Sequence, residues 1–266
     1  AHTDIRELAR ILTGWTVAEG FARGRFRYDL AMHDVGAKRI PFLDIVVPPG
    51  GGMKEAEAVI HRLARHPSTA AYLAAKLCRR ILGHAPDSVV ARSASAYLRS
   101  DCEIRAALRP ILLDALAMRG DVRPALKRPF DFVVSAMRAY GTDTDGGPPI
   151  QAALADMGQP LYQWPMPDGF PDRAGAWTGN LLPRWNFALD LCKGRLQGTR
   201  AEHHRQARGV SGVAGLVEAC LGRRANDPVS VSVIAGIGRV HAKPGSDEWD
   251  DAAALALCSP AFQWRG

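Results

Sequence analysis

The sequence predicts a mainly α-helical, multi-helix globular domain with a short β-hairpin element near residues 25–47. Apolar residues recur at i, i+3, i+4 spacing over most of the chain. Helix punctuation brackets those segments, with Pro, Ser or Asp before them and Gly after. Alternating β-formers are confined largely to the stretch after the first helix. A hydrophobic content of 47% and a charged content of 23% suit a packed core, so residues 1–266 read as one domain.

In chain order, Ile5, Leu8, Ile11 and Leu12 form the apolar stripe of a helix over 3–14, with Thr3 as its cap and Gly14 as its stop. Residues 16–50 alternate, predicting one or two short strands or an extended hairpin, and Pro48-Pro49-Gly50-Gly51-Gly52 breaks the pattern. Helices follow over 54–65 and over 67–82, the latter with Pro67 at its first position and Gly83 beyond its end. The next two cover 88–99 and 101–118, and Ser100 and Glu103 have capping-box spacing. Further helices are expected over 129–140, 148–157, 180–193, 211–221 (capped by Ser211) and 247–258. Residues 228–240 are ambiguous, because VSVSVI alternates like a strand. The Arg- and Gly-rich stretch 195–211 reads as a mobile connection.

Bulk properties narrow the function classes. No apolar run approaches the roughly 18 residues that suggest a membrane span, so no span is expected in this chain. The net charge is +7, but the basic residues are scattered and no nucleic-acid motif accompanies them. Nucleic acid is therefore not an expected partner, although the run 193–208 leaves a polyanion-binding reading open. The five cysteines are widely spaced, which is neither a disulfide framework nor a zinc pattern. His61 and His66 are five apart and His203 and His204 are adjacent; neither pair has the spacing of a helical zinc site. No metal ligand is assigned, and the residues name no cofactor.

Two stretches carry chemistry. In the first, His33 and Asp34 are acid–base candidates, with Gly36 allowing a turn and Lys38 able to pair across it. The other reading is a polar loop anchor. In the second, residues 157–187 hold five prolines and three tryptophans in a loop too apolar for a linker. There Asp168 and Asp172 flank Gly169-Phe170-Pro171, and paired carboxylates serve glycoside hydrolysis. The catalytic candidates are thus His33, Asp34, Asp168 and Asp172. Trp15, Lys38, Trp164, Trp177 and Arg184 are the substrate-binding candidates, the indoles as stacking platforms and the cations as positioning groups. The alternative makes the tryptophans packing anchors and the acids turn residues.

Several blocks taken together resemble the bacterial family catalogued as domain of unknown function 1800. They are DIRELARILTGW (4–15), HDVGAK (33–38), HPSTAAYLAAKLCRR (66–80), KRPFDFVVSAMRAYG (127–141), GQPLYQWPMPDGFPD with Trp177, and the closing SPAFQWR (259–265). Each is weak alone; their order is specific. The resemblance places Arg6, Glu7, Arg10, Trp15, His33, Asp34 and Lys38 on motif positions. It does the same for Lys76, Lys127, Arg138, Gln159, Pro167, Gly169, Trp177 and Arg184. The closing motif commonly has Glu where this chain has Ala261, so no catalytic role is expected there. The resemblance implies a mostly helical, exported bacterial protein, periplasmic or extracellular. Members are usually longer, so the chain is expected to be a C-terminal part, with the N-terminal portion of the same protein as a possible partner. It implies no established activity. The functional expectation is a hydrolase acting on an extracytoplasmic polymer such as a polysaccharide. The alternative is a non-catalytic binding or scaffold protein that docks a partner on the 158–177 loop.

Overall fold

A computed structural model describes residues 2–18, 24–117, 124–201, 212–238 and 246–265. The chain is mainly α-helical, as the periodicity predicts, but its contacts divide it into two compact units, residues 1–123 and 124–266. The sequence reading of one domain over 1–266 carries no signal for that division.

The first unit opens with helix α1 (His2–Leu12), which begins one residue before Thr3, so Thr3 is not its cap. Gly14 follows at φ +83, and a Cβ there would lie 2.7 Å from the Asp29 carbonyl oxygen. Only glycine makes that turn without strain. It leads into β1 (Trp15–Val17), antiparallel to β2 (Phe26–Tyr28). A second hairpin joins β3 (Lys38–Ile40) to β4 (Ile45–Val47). The expected β element is therefore a pair of hairpins, and the first begins well before residue 25. Ile11 of α1 packs with Ile40, Leu43, Val47 and two residues of α2 (Met53–Ala64), Ala56 and Val59.

Three longer helices complete this unit. Helix α3 (Pro67–Leu82) keeps its predicted bounds, because Pro67 starts it and Gly83 ends it at φ 77. Helix α4 (Asp87–Arg99) follows. In the next turn Ser100 Oγ accepts from the Glu103 amide at 3.2 Å, which realises half of the expected capping box. Asp101 and Cys102 turn left-handed there, at φ 57 and 71. Helix α5 (Ile104–Ala117) consequently starts later than the spacing predicts. Cys78, Leu82, Val89 and Ile111 form the core between these helices.

The second unit is tied by two short strand pairs whose partners are distant in sequence. Strand β5 (Ala125–Leu126) pairs with β8 (Trp264–Arg265), and β6 (Thr142–Thr144) pairs with β7 (Thr199–Ala201). The described part of the expected mobile connection, 195–201, thus contains a paired strand; 202–211, including the proposed cap Ser211, lies outside the described residues. Around the pairs lie α6 (Pro129–Ala139), α7 (Pro148–Asp156), α8 (Leu181–Cys192), α9 (Gly212–Leu221), α10 (Pro228–Ile237), α11 (Asp247–Cys258) and the single turn α12 (Pro260–Gln263).

The ambiguous stretch is resolved as helix α10. Asp227 accepts from the Val229 amide and Pro228 fills the first position, so capping overrides the alternating pattern. Helix α11 matches its expected bounds, capped by Ser246 with acids in its first turn. The core gathers Phe132, Tyr140, Phe187, Leu216, Trp249 and Phe262. The Phe132 ring meets Phe187 and Phe262 edge-on, at 6.1 and 5.9 Å between centroids. The cysteines are free thiols, and Cys78, Cys192 and Cys220 are buried as small hydrophobes.

Candidate functional site

In the first unit the sequence-predicted residues His33, Asp34 and Lys38 share one polar nest. Arg10, on the polar side of α1, donates to both Asp34 oxygens, Nε at 2.7 Å and Nη2 at 3.1 Å. Its Nη1 also reaches Glu7 one turn earlier, at 2.8 Å. Asp34 accepts from the Gly36 amide at 2.9 Å as well. The guanidinium and that amide hold the Asp34 carboxyl down to about 2. Glu7 is lowered mainly by the same arginine.

Thr13 links this ion pair to the histidine. Its hydroxyl donates to the Arg10 carbonyl at 2.6 Å and accepts from the Asp34 amide at 2.8 Å. Its carbonyl lies 2.8 Å from His33 Nδ1. A carbonyl can only accept, so Nδ1 carries the proton and Nε2 is the acceptor in the neutral ring. Nε2 faces the Lys38 ammonium at 3.5 Å and Glu55 Oε1 at 3.5 Å. Lys38 in turn donates to Glu55 Oε2 at 2.8 Å.

The side chains of His33 and Lys38 are fully buried and that of Glu55 is 5% exposed. Two buried oxygens in this nest have no hydrogen-bond partner, Glu55 Oε1 and Tyr28 Oη. The Tyr28 ring is 5.6 Å from the His33 ring, and burial raises the phenol, helped by the Glu55 charge. The glycine run closes over them. A Cβ on Gly51 would fall 1.5 Å from Glu55 Oε1, and one on Gly52 would be 3.6 Å from Tyr28 Oη. Glu55 escapes sequence reasoning because an acid in a helix's first turn reads as an exposed partner of the dipole. The glycine run immediately before it is the signal that could have found it. Trp15 lies in β1, 38% exposed and edge-on to Phe26 at 5.2 Å.

In the second unit the aromatic loop divides into a buried and an exposed part. Trp177 is 4% exposed and its Nε1 donates to the Pro171 carbonyl at 2.9 Å. It anchors the loop, which is the packing alternative for that residue. Trp164 remains partly open, tilted against Phe170 at 4.9 Å, with Nε1 donating to Asp168 at 3.0 Å. Asp172 pairs with Arg128 at 3.2 Å. Each acid thus has a defined partner, one an indole and the other a guanidinium. Leu161, Tyr162 and Met166, within three residues of Trp164 in sequence, are exposed, and Tyr162 adopts φ 61.

Arg184 lies in the same unit, fully buried. It donates to Gln263 Oε1 at 3.0 Å and to the Lys127 carbonyl at 2.7 Å. It stitches α8 to α12 and to Lys127, the residue after β5, so a direct contact between its guanidinium and substrate requires local opening. The loop is held from its other end by Gln159, which accepts from the Phe130 amide at 2.9 Å.

Residues 1–264 match the family described as a protein of unknown function, DUF1800. The chain belongs to this family. No curated protein and no solved structure matches the chain. Within this DUF1800 chain, most of the motif blocks named from the sequence fall on two clusters, while the block 66–80 with Lys76 lies in helix α3 and joins neither. Glu7, Arg10, His33, Asp34 and Lys38 build the nest of the first unit. Lys127, Gln159, Trp177 and Arg184 build the supports of the aromatic loop and the strand pair beside it. Among the described residues, no group of three or more His, Cys, Asp or Glu side chains could hold a metal ion.

Proposed function

We propose that this protein binds a polysaccharide outside the cytoplasm, along the ledge formed by Leu161, Tyr162, Trp164 and Met166. The observation that carries the reading is the fully exposed Tyr162, two residues before a Trp164 indole pinned by Asp168 and Phe170. Sugar rings present apolar C–H faces that stack on such surfaces. Pro160, Pro165, Pro167 and Pro171 stiffen the ledge, which lowers the entropy lost on binding. A left-handed Tyr162 costs on the order of 1–3 kcal/mol, and a tyrosine held there with its ring in water fits a contact surface better than a core. Pull-down with a panel of insoluble polysaccharides tests this. Trp164→Ala and Tyr162→Ala should each lose binding with little change in melting temperature. Binding retained by both variants rejects the ledge.

A second reading, hydrolysis of the same kind of polymer, is favoured by Glu55 Oε1, which lacks a partner 3.5 Å from His33 Nε2. A carboxylate beside an imidazole can exchange a proton with a substrate hydroxyl or a water. The glycoside-type variant of this reading uses Asp168 and Asp172 instead. Release of reducing ends by the wild type, abolished in Asp168→Asn or in Glu55→Gln assayed below its melting temperature where circular dichroism shows it folded, separates the two. Turnover unaffected by both substitutions removes the hydrolase reading.

A further inference from the structure

In the second unit two cations lie side by side with too little negative charge to match them. Arg184 is fully buried and its described hydrogen bonds go to neutral oxygens, the Gln263 side chain and the Lys127 carbonyl. Its Nε is buried with no partner. The Lys127 ammonium sits 3.5 Å over the face of Phe262 and feels the Arg184 charge. The carboxylate acting on Lys127 is Asp131, which is already held by Arg128 at 3.3 Å. Arg128 is also shared with Asp172 of the aromatic loop. Burial pushes Lys127 down to about 8 against the pull of Asp131, and it lowers Arg184. Both directions are those of charges removed from water without adequate compensation.

We propose that Lys127 and Arg184 form an oxyanion-binding corner, which makes the polymer bound by this protein an acidic glycan bearing carboxylate or sulfate-ester groups. The glycan part rests on the ledge reading above; the anion part does not. Lys127, only partly buried, is the residue that meets the anion. Arg184 behind it supplies charge and holds the Lys127 backbone. Arg128 joins this corner to the ledge loop through Asp172, so a sugar stacked on the aromatic rings is followed by a positive neighbourhood in the same unit.

The test reads Lys127 directly. The full chain is acylated with a limiting amount of an activated ester at pH 8, and the Lys127 peptide is quantified by mass spectrometry. Inorganic sulfate, glucuronate and glucose are added in parallel at constant ionic strength. An opposite charge within hydrogen-bonding range raises an amine by one unit or more; from about 8 at pH 8 this cuts its free-base fraction and its labelling by about fivefold or more. Sulfate and glucuronate should therefore protect Lys127, glucose should not, and Lys54 should be unaffected. Labelling of Lys127 that sulfate and glucuronate leave unchanged overturns the anion corner.

Pull-down on an acidic and a neutral polysaccharide completes the assignment. Lys127→Gln should lose the preference for the acidic polymer while keeping binding to the neutral one. Trp164→Ala should lose both polymers yet leave the protection of Lys127 by sulfate intact. Equal wild-type binding to both polymers overturns the acidic-glycan assignment and spares the ledge. Loss of protection and preserved glycan binding likewise separate the failure of one proposal from that of the other.

Discussion

Glu55→Gln should be among the most damaging single substitutions in the first unit. The change removes the negative charge opposite Lys38, whose side chain is fully buried and lies 2.8 Å from Glu55 Oε2. An amide oxygen can still accept that bond, but the ammonium then lacks its counter-charge in a water-poor site. Breaking a buried pair from one side typically costs about 3–5 kcal/mol. For a unit of 123 residues this corresponds to a melting shift of roughly 10–20 °C. Thermal unfolding of the full chain followed by far-UV circular dichroism measures it. The paired change Lys38→Met with Glu55→Met should recover much of the loss, because replacing both charges removes the desolvation cost together with the attraction. If Glu55→Gln melts within about 1 kcal/mol of the wild type, the charge on Glu55 is not what holds Lys38, and the nest is protonated or hydrated differently from this account.

Three further outcomes follow from the same geometry. Gly51→Ala should resemble Glu55→Gln in urea unfolding, since the new methyl would fall 1.5 Å from Glu55 Oε1 and displace it from Lys38; a neutral effect would show that the glycine run does not seal the nest. Trp177→Ala should cost about 3–5 kcal/mol by emptying a buried indole site, unlike Trp164→Ala, and equal melting of the two variants would contradict the division of the loop. Asp34, held down to about 2 from its ordinary 3.8, contributes stability that is complete above pH 4 and is lost as pH falls from about 4 to 2. The melting difference between wild type and Asp34→Asn should therefore shrink through that window, and a difference constant from pH 5 to 2 would refute the Arg10–Asp34 assignment.

The helices were legible wherever local chemistry sets their ends. Pro67 and Gly83 bound α3, and Ser246 with three acids opens α11; these are properties of a few neighbouring residues. The alternation in VSVSVI was a local signal too, but the Asp227–Pro228 start and packing in the second unit outweighed it. The strand pairs Ala125–Leu126 with Trp264–Arg265 and Thr142–Thr144 with Thr199–Ala201 were invisible, because two- or three-residue strands have no period to read and their partners lie far along the chain. At the site, His33, Asp34 and Lys38 were legible as a group, since a turn at Gly36 brings them near. Glu55 was not, because its burial depends on α2 docking beneath a loop that no helical pattern describes. Trp164 and Trp177 looked equivalent in sequence; a hydrogen bond to the Pro171 carbonyl and burial in the core distinguish the second.

The nest and the loop use their charged groups in opposite ways, and this separates their roles. In the nest the charges face one another: Arg10 with Glu7 and Asp34, Lys38 with Glu55. The groups left over are oxygens, Glu55 Oε1 and Tyr28 Oη, sealed under glycine. Mutual pairing of that density rigidifies a hairpin and two helices, and any proton chemistry there requires the glycine run to lift. In the loop the acids are bonded to its own indole and to a neighbouring arginine, and what faces outward is ring surface. The proposed recognition on the second unit would therefore need no rearrangement, while the proposed reactivity in the first would. That asymmetry predicts an order of failure: stiffening the cover with Gly52→Ala, where a Cβ meets only Tyr28 Oη at 3.6 Å, should leave polymer binding intact. If turnover exists, it should slow in that variant, and turnover unchanged by it would mean that the reacting groups lie outside the nest.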